Sequence, residues 1–235
     1  MFLSKSDIKS KVRLRIDEIR ANESDFDGTV DETDLDALIE GLSLEALTFV
    51  NANASAVLLE PDVVLSSNDT LPTGISYAEN TTLVAGQSVG VFTIPSTFLR
   101  LVSAKNEDWA KSVREMVDEG DNAMEILLDP YLTGSKYHPY VATGLEPDIA
   151  NGGYYRNIML FTIDAGSKSQ IAYMTAPAYV TDNSVDKLRV SRYLVEPFIY
   201  YLASLVLTTT GDARAQYAQA KAMQLMGALP QETEG

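Results

Sequence analysis

Cysteine is absent from this chain of 235 residues, and histidine and tryptophan occur once each. A chain without cysteine has no disulfide framework, no thiolate metal site and no cysteine nucleophile. The single histidine, His138, is followed by Pro139 and supplies at most one metal ligand, so we expect neither a Ser-His-Asp triad nor a histidine-based metal site. The longest apolar run, Phe198 to Leu207, is far shorter than the roughly 20 residues of a membrane-spanning helix. The first residues lack the apolar core of a secretory signal, so we expect neither a signal nor a membrane segment.

Basic residues are also scarce. Lysine and arginine number 18 against 33 aspartates and glutamates, which gives a formal net charge of −15. A protein this acidic is repelled by a phosphate backbone, so we expect no specific binding to nucleic acid, although a local basic patch is not excluded. The many tyrosines after residue 100 are more typical of a core or an interface than of a base-stacking platform.

The N-terminal part of the chain has a helical pattern. Ser4 and Asp7 match a capping box, and apolar residues then recur along one face from Ile8 to Ile19. A second helix is predicted to begin at Thr33 and to pack antiparallel to the first. The polar side of the first helix is either a solvated face or a docking surface for an acidic partner. Its basic residues are Lys5, Lys9, Lys11, Arg13, Arg15 and Arg20.

The last third of the sequence is also predicted to be helical. Asn183 or Ser184 would cap a helix that runs to Leu194. The segment Phe198 to Leu207 is apolar almost all round, so it must be buried by its own fold or by another subunit. An alanine-rich helix, Ala213 to Met226, follows.

The middle of the sequence has a β pattern. Val89 to Ile94 alternates as a half-buried strand does, Pro95 predicts a turn, and Phe98 to Val102 resumes as a strand. We therefore predict a core hairpin across Val89–Val102, with Trp109 closing over it.

Two further features of the middle region are predicted. Tyr131 to Gly153 is rich in glycine and proline and reads as a long irregular loop, which usually has a function or is ordered by a neighbour. After it, Tyr154 to Ile163 and Gln170 to Met174 read as a second hairpin, joined by a turn at Asp164-Ala165-Gly166.

The patterns together predict an α+β protein in which helices from both chain ends form a bundle and the middle is rich in β-strands. The predicted domains are a helical domain (1–55 and 183–228), a β-rich insertion (56–182) with its irregular loop (131–153), and a flexible acidic tail (229–235).

One motif matches a catalytic signature. Asp25-Phe26-Asp27-Gly28-Thr29-Val30 matches the aspartate-nucleophile motif of haloacid-dehalogenase-type phosphatases. There the first aspartate attacks phosphorus, the second serves as acid and base, and Mg²⁺ bridges them. This chemistry needs an apolar parallel strand before the motif, whereas Arg20 to Ser24 is a polar helix end. We therefore predict that the protein is not an enzyme and has no cofactor, with a phosphatase at Asp25 and Asp27 as the alternative.

The middle stretch also carries a resemblance. A strand is followed by Ile94-Pro95, a short turn, Phe98-Leu-Arg-Leu-Val-Ser103 and then Trp109. This order resembles that of the head-to-tail adaptor proteins of short-tailed bacteriophages. In those proteins such a segment lies between N-terminal helices and a C-terminal helical pair. Within that group the chain looks most like the connector ring proteins of crAss-like phages, and the likeness in element order extends from Ser4 to Gly227.

The resemblance implies a virion structural protein of the neck and tail region, assembled in the host cytoplasm. Such adaptors form a ring, typically dodecameric, beneath the portal protein and join it to tail or second connector proteins. Genomic DNA passes through the channel without specific binding. By resemblance, the portal contact lies in the C-terminal helix, Ala213–Met226, and the tail, Leu229–Gly235.

Two alternatives remain open. The basic face of the first helix, with Lys9 and Arg13, could meet acidic groups of the portal in place of the tail. The protein could also be a tail accessory binding module with the same helices and no portal contact.

Overall fold

The computed structural model describes residues 1–21, 32–67, 70–118, 128–129, 134–148 and 153–227. They form an α+β protein with helices at both ends, which confirms the predicted fold class. The described residues include four α-helices: α1 (Lys5–Ala21), α2 (Glu32–Asn53), α3 (Val195–Thr209) and α4 (Ala215–Leu225). Their strands are β1 (Phe2–Ser4), β2 (Asp62–Leu65), β3 (Ser76–Asn80), β4 (Ser88–Ile94), β5 (Phe98–Asn106), β6 (Val117–Asp118), β7 (Val141–Asp148), β8 (Gly153–Ile163), β9 (Ser169–Thr175), β10 (Tyr179–Asp182) and β11 (Val185–Arg189).

The chain divides into two compact units. Met1–Glu60 and Ala176–Gly235 form the helical unit, and Pro61–Thr175 forms the β unit. Helices from both chain ends therefore belong to one unit, and the middle of the chain forms the other.

Helix α3 is the centre of the helical unit. It packs against α1, α2 and α4, and its side chains from Phe198 to Ala203 are buried apart from the half-buried Tyr200. Phe49 of α2 stacks on Tyr201 of α3, with the ring centroids 4.1 Å apart. The sequence left two possibilities for the apolar segment Phe198–Leu207, burial by its own fold or by another subunit. The structure shows that its own fold buries it.

The start of α1 follows the sequence prediction. The Ser4 hydroxyl accepts a hydrogen bond from the Asp7 backbone N–H, and the Asp7 carboxylate accepts one from the Ser4 N–H, both at 3.1 Å. These reciprocal hydrogen bonds form the capping box that the sequence predicts at the start of the helix. The apolar face from Ile8 to Ile19 is buried, so the predicted periodicity of the helix is confirmed.

The predicted helix from Asn183 to Leu194 is wrong for most of its length. Strands β10 and β11 form an antiparallel hairpin here, and β1 pairs with the other side of β11. Asn183 and Ser184 have positive φ angles of 50° and 61°, which belong to a two-residue hairpin turn and not to a helix cap. Only Arg192–Leu194 is helical, as a 3-10 turn that leads into α3.

The β unit contains two sheets. One has the strand order β2-β9-β5 and the other the order β3-β4-β8-β7-β6. Side chains of both sheets meet in a shared core that includes Phe92, Leu101, Ile158 and Ile171. Trp109 is 2% exposed in this core, as the sequence predicts, and its indole N–H donates to the Thr162 carbonyl at 3.1 Å.

The predicted Val89–Val102 hairpin is wrong in its pairing, although both strands exist. Strand β4 pairs with β3 and β8, whereas β5 pairs with β9 in the other sheet. The turn at Pro95, closed by a bond from the Phe98 N–H to the Pro95 carbonyl at 3.0 Å, therefore carries the chain between sheets. Such a crossover lets Ile94 and Leu101 enter the shared core from opposite sides. The second predicted hairpin is wrong for the same reason, because β8 and β9 also lie in different sheets.

The predicted irregular loop across 131–153 contains a strand. Val141–Asp148 is β7, which pairs antiparallel with β8 along its whole length. Glycine and proline within this strand concealed it from a pattern-based reading, since both are rare in strands. Residues 131–133 and 149–152 of the predicted loop, and the predicted tail at 229–235, lie outside the described residues.

Candidate functional site

No assembled catalytic centre is visible in the residues that the structure describes. Asp25 and Asp27 lie outside them. His138 is exposed at a turn, and no group of three histidine, aspartate or glutamate side chains in the described ranges could hold a metal ion.

Four of the six basic residues of α1 form ion pairs within the chain. Lys5 contacts both Glu40 of α2, at 2.6 Å, and Asp186 of β11, at 3.0 Å. Lys9 shares Glu40 at 3.1 Å, and a further pair joins Arg13 to Asp36 at 2.9 Å. Arg15 bridges to Glu196 of α3 and lies over the Tyr200 ring. These pairs also show that α1 and α2 run in opposite directions, as the sequence predicts.

The ion pairs fix the charge state of this face. Hydrogen bonds from Lys5 and then Lys9 hold the pKa of Glu40 below its ordinary value. The pKa of Asp186 is lowered first by the Thr181 hydroxyl and then by Lys5, and the pKa of Lys5 is raised in return by Glu40 and Asp186. Two carboxylates, Glu40 and Asp186, thus face two lysines, Lys5 and Lys9, and their formal charges balance. A partner's acidic groups would have to displace carboxylates already in place.

The C-terminal helix ends at an anchored point. Met226 is fully buried, and its carbonyl accepts a hydrogen bond from the Ser55 N–H at 3.0 Å. Gly227, at φ 67°, then ends the helix in the left-handed conformation that glycine adopts without strain. Asp212 and Arg214 form a nearly buried ion pair at 2.7 Å before α4. The last described residues of the helical unit, Met226 and Gly227, are thus held in place by the fold.

One end of the β unit is held by polar contacts among its loops. The Asn106 side chain is fully buried and donates to the hydroxyls of Ser167 and Ser169, at 2.8 and 3.0 Å. Its own oxygen accepts the Asp108 N–H at 2.9 Å. These groups contain no base that could activate a hydroxyl, so we assign the network a structural role in joining β5 to the β8–β9 crossover.

A tight turn projects from the same loop end. Ser135 and His138 exchange backbone hydrogen bonds at 2.9 and 3.2 Å around Lys136 and Tyr137. The Lys136 ammonium bonds Asp164, which raises its pKa, while Tyr137 points outward and is 74% exposed. We call residues Gly134–Tyr140 the Tyr137 tip. The sequence prediction missed it, because an exposed tyrosine in a glycine-rich segment has no periodic signal.

The helical unit carries an open groove on the outer face of its small sheet. The groove has a volume of about 440 Å³ and is lined by Phe2, Val180, Thr181, Asp182 and Lys187. Phe2 and Val180 are each more than half exposed, and Lys187 pairs with Asp182 at 2.8 Å. We call this feature the Phe2–Val180 groove. The incorrect helix prediction at 183–194 hid it, although the β-branched residues beside Asn183-Ser184 were a signal for a hairpin.

Comparisons with known proteins give no match. No known family model matches the chain, and no curated protein is similar to it. None of the helices that the structure describes is long and apolar enough to cross a membrane. The proposal of a function therefore depends on the sequence resemblance and on the geometry above.

Proposed function

We propose that the protein is a virion structural protein, a head-to-tail connector subunit of a short-tailed, crAss-like bacteriophage. Copies of the chain form a ring, dodecameric by resemblance, beneath the portal protein in the neck of the virion. The ring joins the portal to tail or second connector proteins, and genomic DNA passes through its channel.

The observation that carries this proposal is the position of the resembling stretch in the fold. In the adaptors it resembles, that stretch lies between N-terminal helices and a C-terminal helical pair. Here β4, the turn at Pro95 and β5 belong to a β unit inserted between α1–α2 and α3–α4, and the four helices form one unit. The order of elements that the resemblance implies is thus compatible with the fold.

The geometry favours the C-terminal end as the portal contact. The basic groups that a contact through α1 would use already bind Glu40, Asp36 and other carboxylates of this chain. Helix α4, in contrast, is followed by a buried Met226 whose carbonyl is bonded to Ser55, so the chain is held in place up to the start of the tail. Leu229 and Pro230 in that tail are apolar enough to enter a groove between portal subunits, as short segments do when they order on binding.

The charge of the chain suits a DNA channel. Twelve copies at a net charge of −15 each would carry a formal charge of −180. An acidic wall repels phosphate, so DNA would slide past without binding. A channel protein that had to hold DNA would need the opposite sign.

Portal binding provides the test of this proposal. A chain truncated after Gly227 should fold, as judged by circular dichroism, and fail to join extracted portals in negative-stain images. The full chain should form rings on portals and should remain bound at high salt, because apolar insertion is not screened. If the truncated chain docks and a Lys9→Glu, Arg13→Glu variant does not, the contact lies in α1. A full chain that leaves intact portals bare would favour a tail accessory module.

The enzymatic alternative has its own assay. Hydrolysis of a phosphomonoester with Mg²⁺ is measured for the parent chain and for Asp25→Asn. We expect no turnover in either protein. Activity in the parent that disappears in the variant would establish the phosphatase and refute the proposal that the chain is not an enzyme.

A further inference from the structure

We propose that Trp109 is a latch that holds strand β8 in a strained conformation, and that opening of this latch gives one end of the β unit a second state. The strained residue is Thr162, whose carbonyl accepts the Trp109 indole N–H at 3.1 Å. Opening also releases the Tyr137 tip, which is attached to the latch. All the residues concerned belong to the β unit, and the latch does not depend on the proposed connector function.

Thr162 has a backbone conformation that threonine rarely adopts. Its φ angle is 63°, and among the described parts of the chain it is the one residue other than glycine that has a positive φ inside a strand. A β-branched side chain makes this left-handed conformation costly, by a factor of roughly 5–30 in a folding equilibrium. Such strain persists only where the surrounding structure holds it in place.

The strain belongs to a bulge that shifts the phase of β8. Gly90 of β4 lies opposite Leu160, whereas Ser88 lies opposite Ile163, so β8 has one residue more than β4 between these two pairs. Because of the extra residue, Leu160 and Ile163 both enter the shared core, although a regular strand would turn them to opposite faces. Ile163 then packs over Gly90, where a Cβ atom would lie 3.1 Å from the Ile163 Cδ1.

Trp109 is itself held in place on the other side of the latch. Its backbone N–H donates to the Asn106 carbonyl at 3.1 Å, and its carbonyl accepts a hydrogen bond from the Lys105 ammonium. Its ring is buried in the shared core. The indole bond to the Thr162 carbonyl therefore joins a fixed donor to the strained bulge.

The second state is a β8 without the bulge. Once the indole is released, Thr162 returns to the extended conformation of a regular strand, and Thr162 in place of Ile163 then lies opposite Ser88. The relieved strain offsets part of the cost of losing the indole bond and the burial of Ile163. The open state is thus a minor state of the folded protein that a change at Trp109 populates.

The Tyr137 tip is attached to both parts of the latch. The Ala110 N–H, one residue after the tryptophan, donates to the Lys136 carbonyl at 2.9 Å. On the side of β8, the Phe161 N–H donates to the Tyr140 carbonyl at 3.2 Å. Movement of β8 away from the tryptophan therefore separates the two supports of the tip, and the exposed tyrosine moves with them.

A comparison of glycine with alanine at position 162 tests the strain. Thr162→Gly and Thr162→Ala both remove the hydroxyl and methyl groups, but only alanine keeps a Cβ atom in the left-handed conformation. In urea unfolding we expect the unfolding equilibrium constant of Thr162→Gly to be at least about threefold smaller than that of Thr162→Ala. At an ordinary strand position the order is reversed, because glycine loses more conformational freedom on folding. A more stable alanine variant would show that there is no strain to hold.

The same comparison in a Trp109→Phe background tests the latch. Phenylalanine keeps a ring in the core but removes the indole donor, so we expect the advantage of glycine at position 162 to disappear. The control is the same pair of substitutions at Ser184, which has a φ of 61° in the helical unit and should show equal ratios in both backgrounds. An advantage at position 162 that survives Trp109→Phe would mean that other contacts hold the strain, and the latch would be refuted.

Hydrogen exchange in the folded protein provides a test that does not depend on the folding of Trp109→Phe. Trp109 is the only tryptophan, so its indole N–H gives a single nuclear magnetic resonance signal. Opening relieves strain only where residue 162 has a Cβ atom, so the indole N–H should exchange at least about threefold faster in Thr162→Ala than in Thr162→Gly. The backbone N–H groups of Ala110 and Phe161 should follow the same ratio.

Three results of the exchange experiment would contradict the proposal. Equal indole rates in the two variants would show that opening relieves no strain. Exchange of the indole only at the rate of global unfolding would show that the latch does not open in the folded protein. An indole rate that changes while the rates of Ala110 and Phe161 stay the same would refute the attachment of the Tyr137 tip to the latch.

Discussion

Replacement of Leu202 by alanine tests whether the apolar helix α3 is buried by its own chain. Leu202 is 0% exposed at the centre of the helical unit. The substitution removes three carbon atoms, worth about 2.4 kcal/mol at roughly 0.8 kcal/mol per buried methylene. The cavity left in a helix packed against α1, α2 and α4 adds to this loss, so the free energy of unfolding should fall by about 3–5 kcal/mol.

The assay is urea unfolding followed by far-ultraviolet circular dichroism, at two protein concentrations. Because the burial is intramolecular, the loss should be the same at both concentrations. Leu14→Ala is the matched control, since Leu14 is 61% exposed on α1 and its removal should change stability by less than about 0.5 kcal/mol. A loss below about 1 kcal/mol for Leu202→Ala, or a parent transition that shifts with concentration, would show that another subunit covers α3.

Three further predictions concern the fold. Glu40 and Asp186 have lowered pKa values, so these carboxylates bind protons less readily in the folded chain than in the unfolded chain. The stability that they add is present above their ordinary pKa of about 4 and is lost as the pH falls. The urea concentration at the unfolding midpoint should therefore be lower at about pH 3 than at about pH 6, and the difference should be smaller in Glu40→Gln. Ser184→Gly should raise the free energy of unfolding by up to about 1 kcal/mol, because glycine adopts the positive φ of this turn position without strain. If residues 183–194 formed a helix instead, the same substitution would lower the free energy of unfolding by a similar amount. Trp109→Phe removes the indole donor to the Thr162 carbonyl and should cost about 1–3 kcal/mol in the same urea assay; an unchanged midpoint would contradict the observed bond.

The elements that the sequence predicted correctly are those encoded by neighbouring residues. The capping box at Ser4 and Asp7 and the buried stripe of α1 are local signals, and both are present. Strand pairing is not local. Val89–Ile94 and Phe98–Val102 read as a hairpin because a turn joins them, yet each finds its partners elsewhere along the chain. Alternation identifies a strand, but only the shared core determines which sheet the strand enters.

The candidate surfaces were hidden from the sequence for related physical reasons. The basic face of α1 looked available because its partners, Glu40 and Asp186, lie far along the chain. The groove requires the hairpin at Asn183-Ser184, where a helical spacing of apolar residues competed with a turn signal. Exposure of Tyr137 depends on a turn whose closure needs Gly134, and no periodicity marks such a residue.

The internal use of the basic residues determines how assembly should respond to salt. Exposed ion pairs such as Lys9–Glu40 contribute at most about 1 kcal/mol each, so screening them leaves the helical unit folded. Neighbouring copies in the proposed ring, in contrast, would each carry a net charge of −15 and would repel one another at low ionic strength. Salt shortens the Debye length from about 10 Å at 0.1 M to about 3 Å at 1 M and would relieve this repulsion, whereas the proposed apolar contact of the tail would not be screened. Assembly that strengthens with salt would therefore be the mark of contacts through these apolar groups, and assembly that weakens would point back to the charges of α1.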